Sequence, residues 1–157
     1  FVLHDHPGPL AIWAEEAKVN SEVAIWGPRT TFTPPLDTNN YIFIADETAQ
    51  PAALASIENL NKEENFICLF ETQNETTKFE YDDPDHRIEW IYRNDQPAGE
   101  GTELLERIKQ LNVNSEKLYV FGAGEARQIS TIRKTLKKNL NLKVDQMSFT
   151  GYWRKTS

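Results

Sequence analysis

Cysteine is nearly absent from this 157-residue chain. Cys68 is the single one, so no intramolecular disulfide can form. Its place inside the apolar run Phe66-Ile67-Cys68-Leu69-Phe70 marks a buried, inert thiol rather than a nucleophile. Histidine is scarce too. His4 and His6 lie two apart, as on one side of a strand, and His86 sits in the acidic stretch Asp82-Asp83-Pro84-Asp85. A metal centre needs three or four converging ligands, so no metal site is expected. Positive charge is in deficit: 17 Lys and Arg against 24 Asp and Glu give a formal charge of −7, which opposes a nucleic-acid role, since backbone binding needs a net basic surface. No apolar run approaches the roughly 20 residues of a membrane-spanning helix. The expectation is a soluble, cytoplasmic protein without membrane insertion. No Ser-His-Asp order or paired-carboxylate spacing stands out, so hydrolytic chemistry has no support.

What the chain does have is alternation. From about Leu36 onward, strands are expected at Tyr41–Ala45, Asn65–Glu71, Arg87–Tyr92, Lys117–Phe121 and Asp145–Thr150. Helices are expected at Ala49–Asn61, Thr102–Leu111 and Glu125–Asn139, and an acidic hairpin-like stretch follows the second strand. Short β-rich runs alternating with helices predict a Rossmann-like α/β domain: a mostly parallel five-stranded sheet with helices on both faces. The run Leu118-Tyr119-Val120-Phe121 is apolar on both parities, as in a doubly covered central strand. The last helix carries Ile129, Ile132, Leu136 and Leu140 on one stripe, with Arg133, Lys134, Lys137 and Lys138 around it. Ahead of this domain lie a strand expected at Phe1–His4, a helix at Pro9–Lys18 and a strand at Glu22–Trp26. The run Thr30-Thr31-Phe32-Thr33-Pro34-Pro35 reads as a linker, because paired prolines can sustain neither helix nor central ladder. Residues 1–35 and 36–157 are thus read as separate domains.

Three turns and a tail could bind ligands. Asp46-Glu47-Thr48 stands between the first strand of the alternating part and its helix. Gly122-Ala123-Gly124-Glu125-Ala126 reads as a glycine turn opening the last helix, and Gly8-Pro9 opens the first; backbone N–H groups at such helix starts attract anions. The chain closes on Thr150-Gly151-Tyr152-Trp153-Arg154-Lys155-Thr156-Ser157, where two rings and two cations occupy what is usually a polar, frayed end. This tail leaves the carboxyl edge of the sheet, where open α/β folds place their ligands.

Four stretches agree in order and spacing with a known pattern: Phe1-Val2-Leu3-His4; Gly8-Pro9 with Trp13-Ala14 and Gly27-Pro28-Arg29; Asp46-Glu47-Thr48-Ala49 with Pro51-Ala52; and Gly124-Glu125-Ala126 with Gly151-Tyr152-Trp153-Arg154. On these the chain resembles the siderophore-interacting proteins, FAD-dependent ferric-siderophore reductases of the ferredoxin-reductase superfamily. It differs from the family at Ala11, where serine is common, and at Asp5 and Ala45, where glycine is.

The resemblance implies that residues 1–35 are the end of an FAD-binding β-barrel whose amino-terminal part is missing, and that residues 36–157 are an NAD(P)H-binding-like domain. His4, Gly8 and Pro9 would then seat FAD. Asp46, Glu47, Thr48, Gly124 and Glu125 would border NAD(P)H, Tyr152 and Trp153 would lie near the isoalloxazine, and Arg29 and Arg154 would receive the ferric siderophore. No side chain is assigned a catalytic acid, base or nucleophile role. In the intact protein NAD(P)H would reduce FAD, and FAD would reduce chelated Fe(III) to Fe(II); the chain alone is expected to be inactive. The rival reading is a non-catalytic module that binds a siderophore or docks on a separate flavoprotein.

Overall fold

The computed structural model describes residues 8–25, 27, 32–79, 81–82 and 87–155. The chain divides into two compact units, Phe1–Thr31 and Phe32–Ser157. In the first, helix α1 spans Pro9–Glu16, with Gly8 at its N-cap and Pro9 in the first turn, where a missing N–H costs nothing. The strand expected at Glu22–Trp26 is not formed over its described residues 22–25. Val23 and Ile25 are exposed, and an extended segment without a ladder partner has nothing to hold it as a strand. The end of a β-barrel is therefore not seen in the described part of this unit, and the expected strand at Phe1 to His4 falls outside it.

The second unit is built as the alternation predicts. Its elements are β1 (Asn40–Ala45), α2 (Gln50–Ile57), β2 (Asn65–Thr72), β3 (Ile88–Tyr92), α3 (Glu103–Lys109), β4 (Leu118–Glu125), α4 (Ala126–Leu140) and β5 (Met147–Trp153). They form one sheet in the order β3-β2-β1-β4-β5, with every pairing parallel. Because β2 and β3 are parallel neighbours, the acidic stretch between them is a crossover and not a hairpin.

The period of two along β1 divides the core. Tyr41, Phe43 and Ala45 face α2 through Ala49, Ala53, Leu54 and Ile57. Ile42 and Ile44 face α3 and α4 through Leu104, Ile108, Ile129, Ile132 and Leu136. The sequence around Phe32, read as linker, packs instead. The Phe32 ring lies 5.4 Å from Tyr119 and 5.8 Å from Phe43, and the Tyr119 hydroxyl accepts from the Thr33 N–H at 3.3 Å.

Two strands run further than their apolar pattern suggests. β4 continues through Gly122, Ala123 and Gly124 to Glu125, and α4 starts at the next residue. β5 continues through Gly151 and Tyr152 to Trp153. The glycines that looked like a turn are paired strand residues under close-packed neighbours: a Cβ on Gly122 would stand 2.3 Å from the Phe149 ring. Glycine inside a strand marks such close approach.

Candidate functional site

The chain order reverses between β1 and β4: β2 and β3 lie to one side of β1, β4 and β5 to the other. In open α/β sheets the crevice outside the carboxyl ends of the strands at this switch point is where ligands bind. Asp46, the residue after β1, stands there. Its Oδ1 accepts from the Thr48 N–H at 2.9 Å and the Thr48 hydroxyl at 2.5 Å, closing a turn that leads into α2. Its Oδ2 accepts from the Glu125 N–H at 3.0 Å and from Trp153 Nε1 at 2.7 Å. The carboxylate thus ties the ends of β1, β4 and β5 together while only 5% exposed. Gly124 makes room for it. At φ +152° and with Asp46 Oδ2 2.7 Å from where a Cβ would stand, no other residue fits without strain.

Glu125 is 1% exposed and caps its own helix. Its Oε2 accepts from the N–H groups of Arg127 and Gln128 at 2.6 and 2.8 Å, and its Oε1 from the Lys155 N–H at 3.3 Å. A carboxylate here satisfies orphan N–H groups and the positive end of the helix dipole. The anion at the start of α4 is therefore the protein's own. Gly99, at φ +77°, packs directly on it: a Cβ there would meet Glu125 Cγ at 2.7 Å and Trp153 Cη2 at 3.4 Å.

The pairing of β4 with β5 slips at this point. Gly124 is opposite Gly151, but Glu125 is opposite Trp153, which leaves Tyr152 as an extra, bulged residue. A bulge re-aims side chains at a site. Trp153 turns in to Asp46, while Tyr152 stays 45% exposed. Partial burial, with the Asp46 charge adding, holds the Tyr152 phenol above its ordinary range. Arg154 follows, exposed and in no ion pair among the described residues. Lys155 pairs with Glu100.

A second polar cluster lies beside the first, and sequence reasoning found only its Glu47. Arg93, 6% exposed, holds Glu47 in a two-pronged pair, Nη1 to Oε2 at 2.8 Å and Nη2 to Oε1 at 2.7 Å. Its Nη1 also stands 3.6 Å from Glu71 Oε2. Glu71, 1% exposed, accepts from Gln128 Nε2 at 3.0 Å through Oε1, and its backbone carbonyl accepts from Gln50 Nε2 at 2.9 Å. Glu71 Oε2 and Arg93 Nε have no hydrogen-bond partner among the described residues. Burial pushes the Glu71 carboxyl up to about 7, against the Gln128 hydrogen bond and the Arg93 charge and with help from Glu47 and Asp46. The signal for this cluster was strand order: Glu71 and Arg93 end adjacent strands only once β2 and β3 are known to be neighbours.

The structure thus brings Asp46, Glu47, Thr48, Gly124, Glu125, Tyr152 and Trp153 to one edge. Gly8 and Pro9 belong to the other unit, where the start of α1 carries no capping side chain among the described residues and no acid in its first turn. His4 and Arg29 lie outside the described residues. Among the described residues no group of His, Cys, Asp and Glu could hold a metal ion, and no helix is long and apolar enough to cross a membrane.

With this geometry in place, the comparisons with known proteins agree on one relationship. The family model described as siderophore-interacting protein matches residues 38–156. The ferric vibriobactin reductase ViuB of Vibrio cholerae is 27% identical over 160 residues, which are 99% of this chain and 58% of ViuB. The ferric acinetobactin reductase of Acinetobacter baumannii is 21% identical over 98% of this chain and 54% of its own length. Among solved structures, the siderophore-interacting protein SipS from Aeromonas hydrophila superposes with a TM-score of 0.84 at 22% identity, covering 100% of this chain and 61% of SipS. A siderophore utilization protein from T. fusca gives 0.75 at 27% identity, covering 100% of this chain and 60% of its own. The chain therefore spans little more than half the length of the curated relatives it matches.

Proposed function

The chain belongs to the siderophore-interacting protein family, and we propose on that premise that it is the α/β portion of a flavin-dependent ferric-siderophore reductase that draws electrons from NAD(P)H. The observation that carries this reading is the switch-point edge with Tyr152 held outward by the bulge. That edge offers a flat ring face beside the Asp46–Thr48 turn, where a planar cofactor would lie.

The two helix starts fit phosphate differently. The start of α1, at Gly8 and Pro9, has no side chain on its N–H groups among the described residues and suits a flavin diphosphate, with His4 assigned to the same flavin by resemblance. The start of α4 does not suit one, because Glu125 already fills it. In this reading NAD(P)H borders Glu47, Thr48 and Gly124 with its diphosphate elsewhere. Asp46, Glu125 and Trp153 shape that edge from beneath. A bound flavin supplies the passage from a two-electron donor to one-electron reduction of iron. The protein then needs no acid, base or nucleophile; its residues bind, orient and exclude water. Iron release follows from ligand hardness, since oxygen ligands hold Fe(III) more tightly than Fe(II).

Arg29 and Arg154 are the proposed siderophore contacts. On a chain of net charge −7, an anionic chelate needs local cations. In the intact protein, Arg29→Ala and Arg154→Ala should each weaken ferric-siderophore binding several-fold, about 1 kcal/mol per cation and more at low salt. Flavin reduction by NAD(P)H should stay nearly unchanged. Titration followed by flavin or tryptophan fluorescence at two salt concentrations checks this. Unchanged affinity in both variants would remove the two arginines from the site, and an intact wild-type protein that binds no ferric siderophore would overturn the substrate assignment.

A further inference from the structure

About a third of the basic residues of this acidic chain lie on α4 and just past its end. Residues 126–144 carry Arg127, Arg133, Lys134, Lys137, Lys138 and Lys143 and no acidic residue; taking this +6 from the formal −7 leaves −13 for the rest. None of these six makes an ion pair among the described residues; Lys18, Lys62, Lys117 and Arg154 make none either but are scattered along the sequence, while Lys78, Arg93, Arg107, Lys109 and Lys155 are paired. We propose that the outer face of α4 is an adsorption surface for an anionic phospholipid bilayer.

Helix stability does not account for the arrangement. Lys137 and Lys138 in the last turn suit the dipole, but Arg127 stands at its positive end. Arg133, Lys134, Lys137 and Lys138 repel one another at three- and four-residue spacings. A face serving only solubility would interleave acids, as α3 does with Glu106 and Lys109.

The shape fits a bilayer. Ile129, Ile132 and Leu136 are buried on the sheet side, so the cations form a convex ridge, and Arg127 to Lys138 spans about 16 Å at the helical rise. Long, flexible stems on a ridge match a flat, fluid surface of headgroups, and clusters of four to eight such residues on an amphipathic helix are the pattern that anionic lipid recognises. Val144, just past the helix and 67% exposed, adds an apolar contact at the interface. Of the acids on α3, which shares the α4 side of the sheet, Glu106 is paired with Lys109 and Glu103 accepts from Gln96 and from the Thr102 N–H, while Glu58, Glu63 and Glu64 follow α2 on the opposite face.

Co-sedimentation of the 157-residue chain with phosphatidylcholine vesicles, with and without phosphatidylglycerol, tests this. Binding should require phosphatidylglycerol, vanish at high salt, and fall by about fivefold for each cation removed in the series Lys134→Gln, Lys137→Gln and Lys138→Gln. The triple Lys→Glu variant should lose it entirely. Circular dichroism shows whether these variants stay folded, and Lys62→Glu, in the turn after α2, should bind as the wild type does. No binding to phosphatidylglycerol vesicles at low salt, equal binding by a folded triple variant, or binding to duplex DNA in preference to vesicles would each overturn the proposal.

Discussion

Replacing Asp46 with alanine is expected to destabilise the α/β unit by about 3–5 kcal/mol, because one buried carboxylate is the acceptor for donors from three places in the chain. The Thr48 N–H and hydroxyl can turn to water, since Thr48 is half-buried. The Glu125 N–H is buried and would be stranded, and Trp153 Nε1 would lose the bond that fixes its ring against Gly99. Trp153→Phe removes the indole donor together with part of the ring that packs by Gly99 and should cost about 1–3 kcal/mol. The two changes share a bond, so the double variant should cost less than their sum. Denaturant unfolding of the three variants measures all of this. A loss below about 1 kcal/mol for Asp46→Ala, or strict additivity, would contradict a carboxylate that closes the switch point.

Stability should also fall as pH rises from about 4.5 to about 7, by roughly 3 kcal/mol attributable to Glu71. Its carboxyl is raised from 4.5 to about 7 in the fold, so between those values the folded chain binds more protons than the unfolded one. The slope of unfolding free energy with pH is then negative. The contribution is fully present below about pH 4.5 and lost as pH passes 7, opposite in sign to an ordinary salt-bridged carboxylate. Glu71→Gln keeps an oxygen for Gln128 to donate to and removes the titration. The difference between wild type and variant should thus move in the variant's favour from pH 5 to pH 8, as read by thermal or denaturant unfolding. A pH-independent difference would mean that Glu71 titrates as an exposed glutamate does.

The fold was legible where period and composition agree. Tyr41 to Ala45 and Leu118 to Phe121 are apolar on both parities because helices cover both sides, and the stripe of α4 shows its buried face. The site was half legible. Asp46, Glu125 and Trp153 were marked out by position and residue type, but as ligand contacts; the structure shows them bonded to one another. Two physical facts were hidden. Glycine at Gly122 and Gly124 signals a turn as readily as close packing, and only the neighbours Phe149 and Asp46 distinguish the two. Helix N-caps are usually Ser, Thr, Asp or Asn, so Glu125 did not look like one. The Glu71–Arg93–Glu47 cluster was out of reach because no local pattern reports which strands are adjacent. At Glu22 to Ile25 the reverse happened: a strand-like composition without a partner stayed irregular.

The central claim, an α/β portion of a reductase that moves electrons from NAD(P)H through flavin to chelated iron, is met most directly by one anaerobic experiment on the intact protein. The purified flavoprotein is mixed with NADH or NADPH while the flavin absorbance is followed, and a ferric siderophore is then added with a ferrous-specific chelator. The account predicts that the flavin bleaches, then recovers as the siderophore is added, with Fe(II) captured in proportion to the electrons delivered. A flavin that neither nucleotide reduces, or a reduced flavin that the ferric siderophore does not reoxidise, would contradict it.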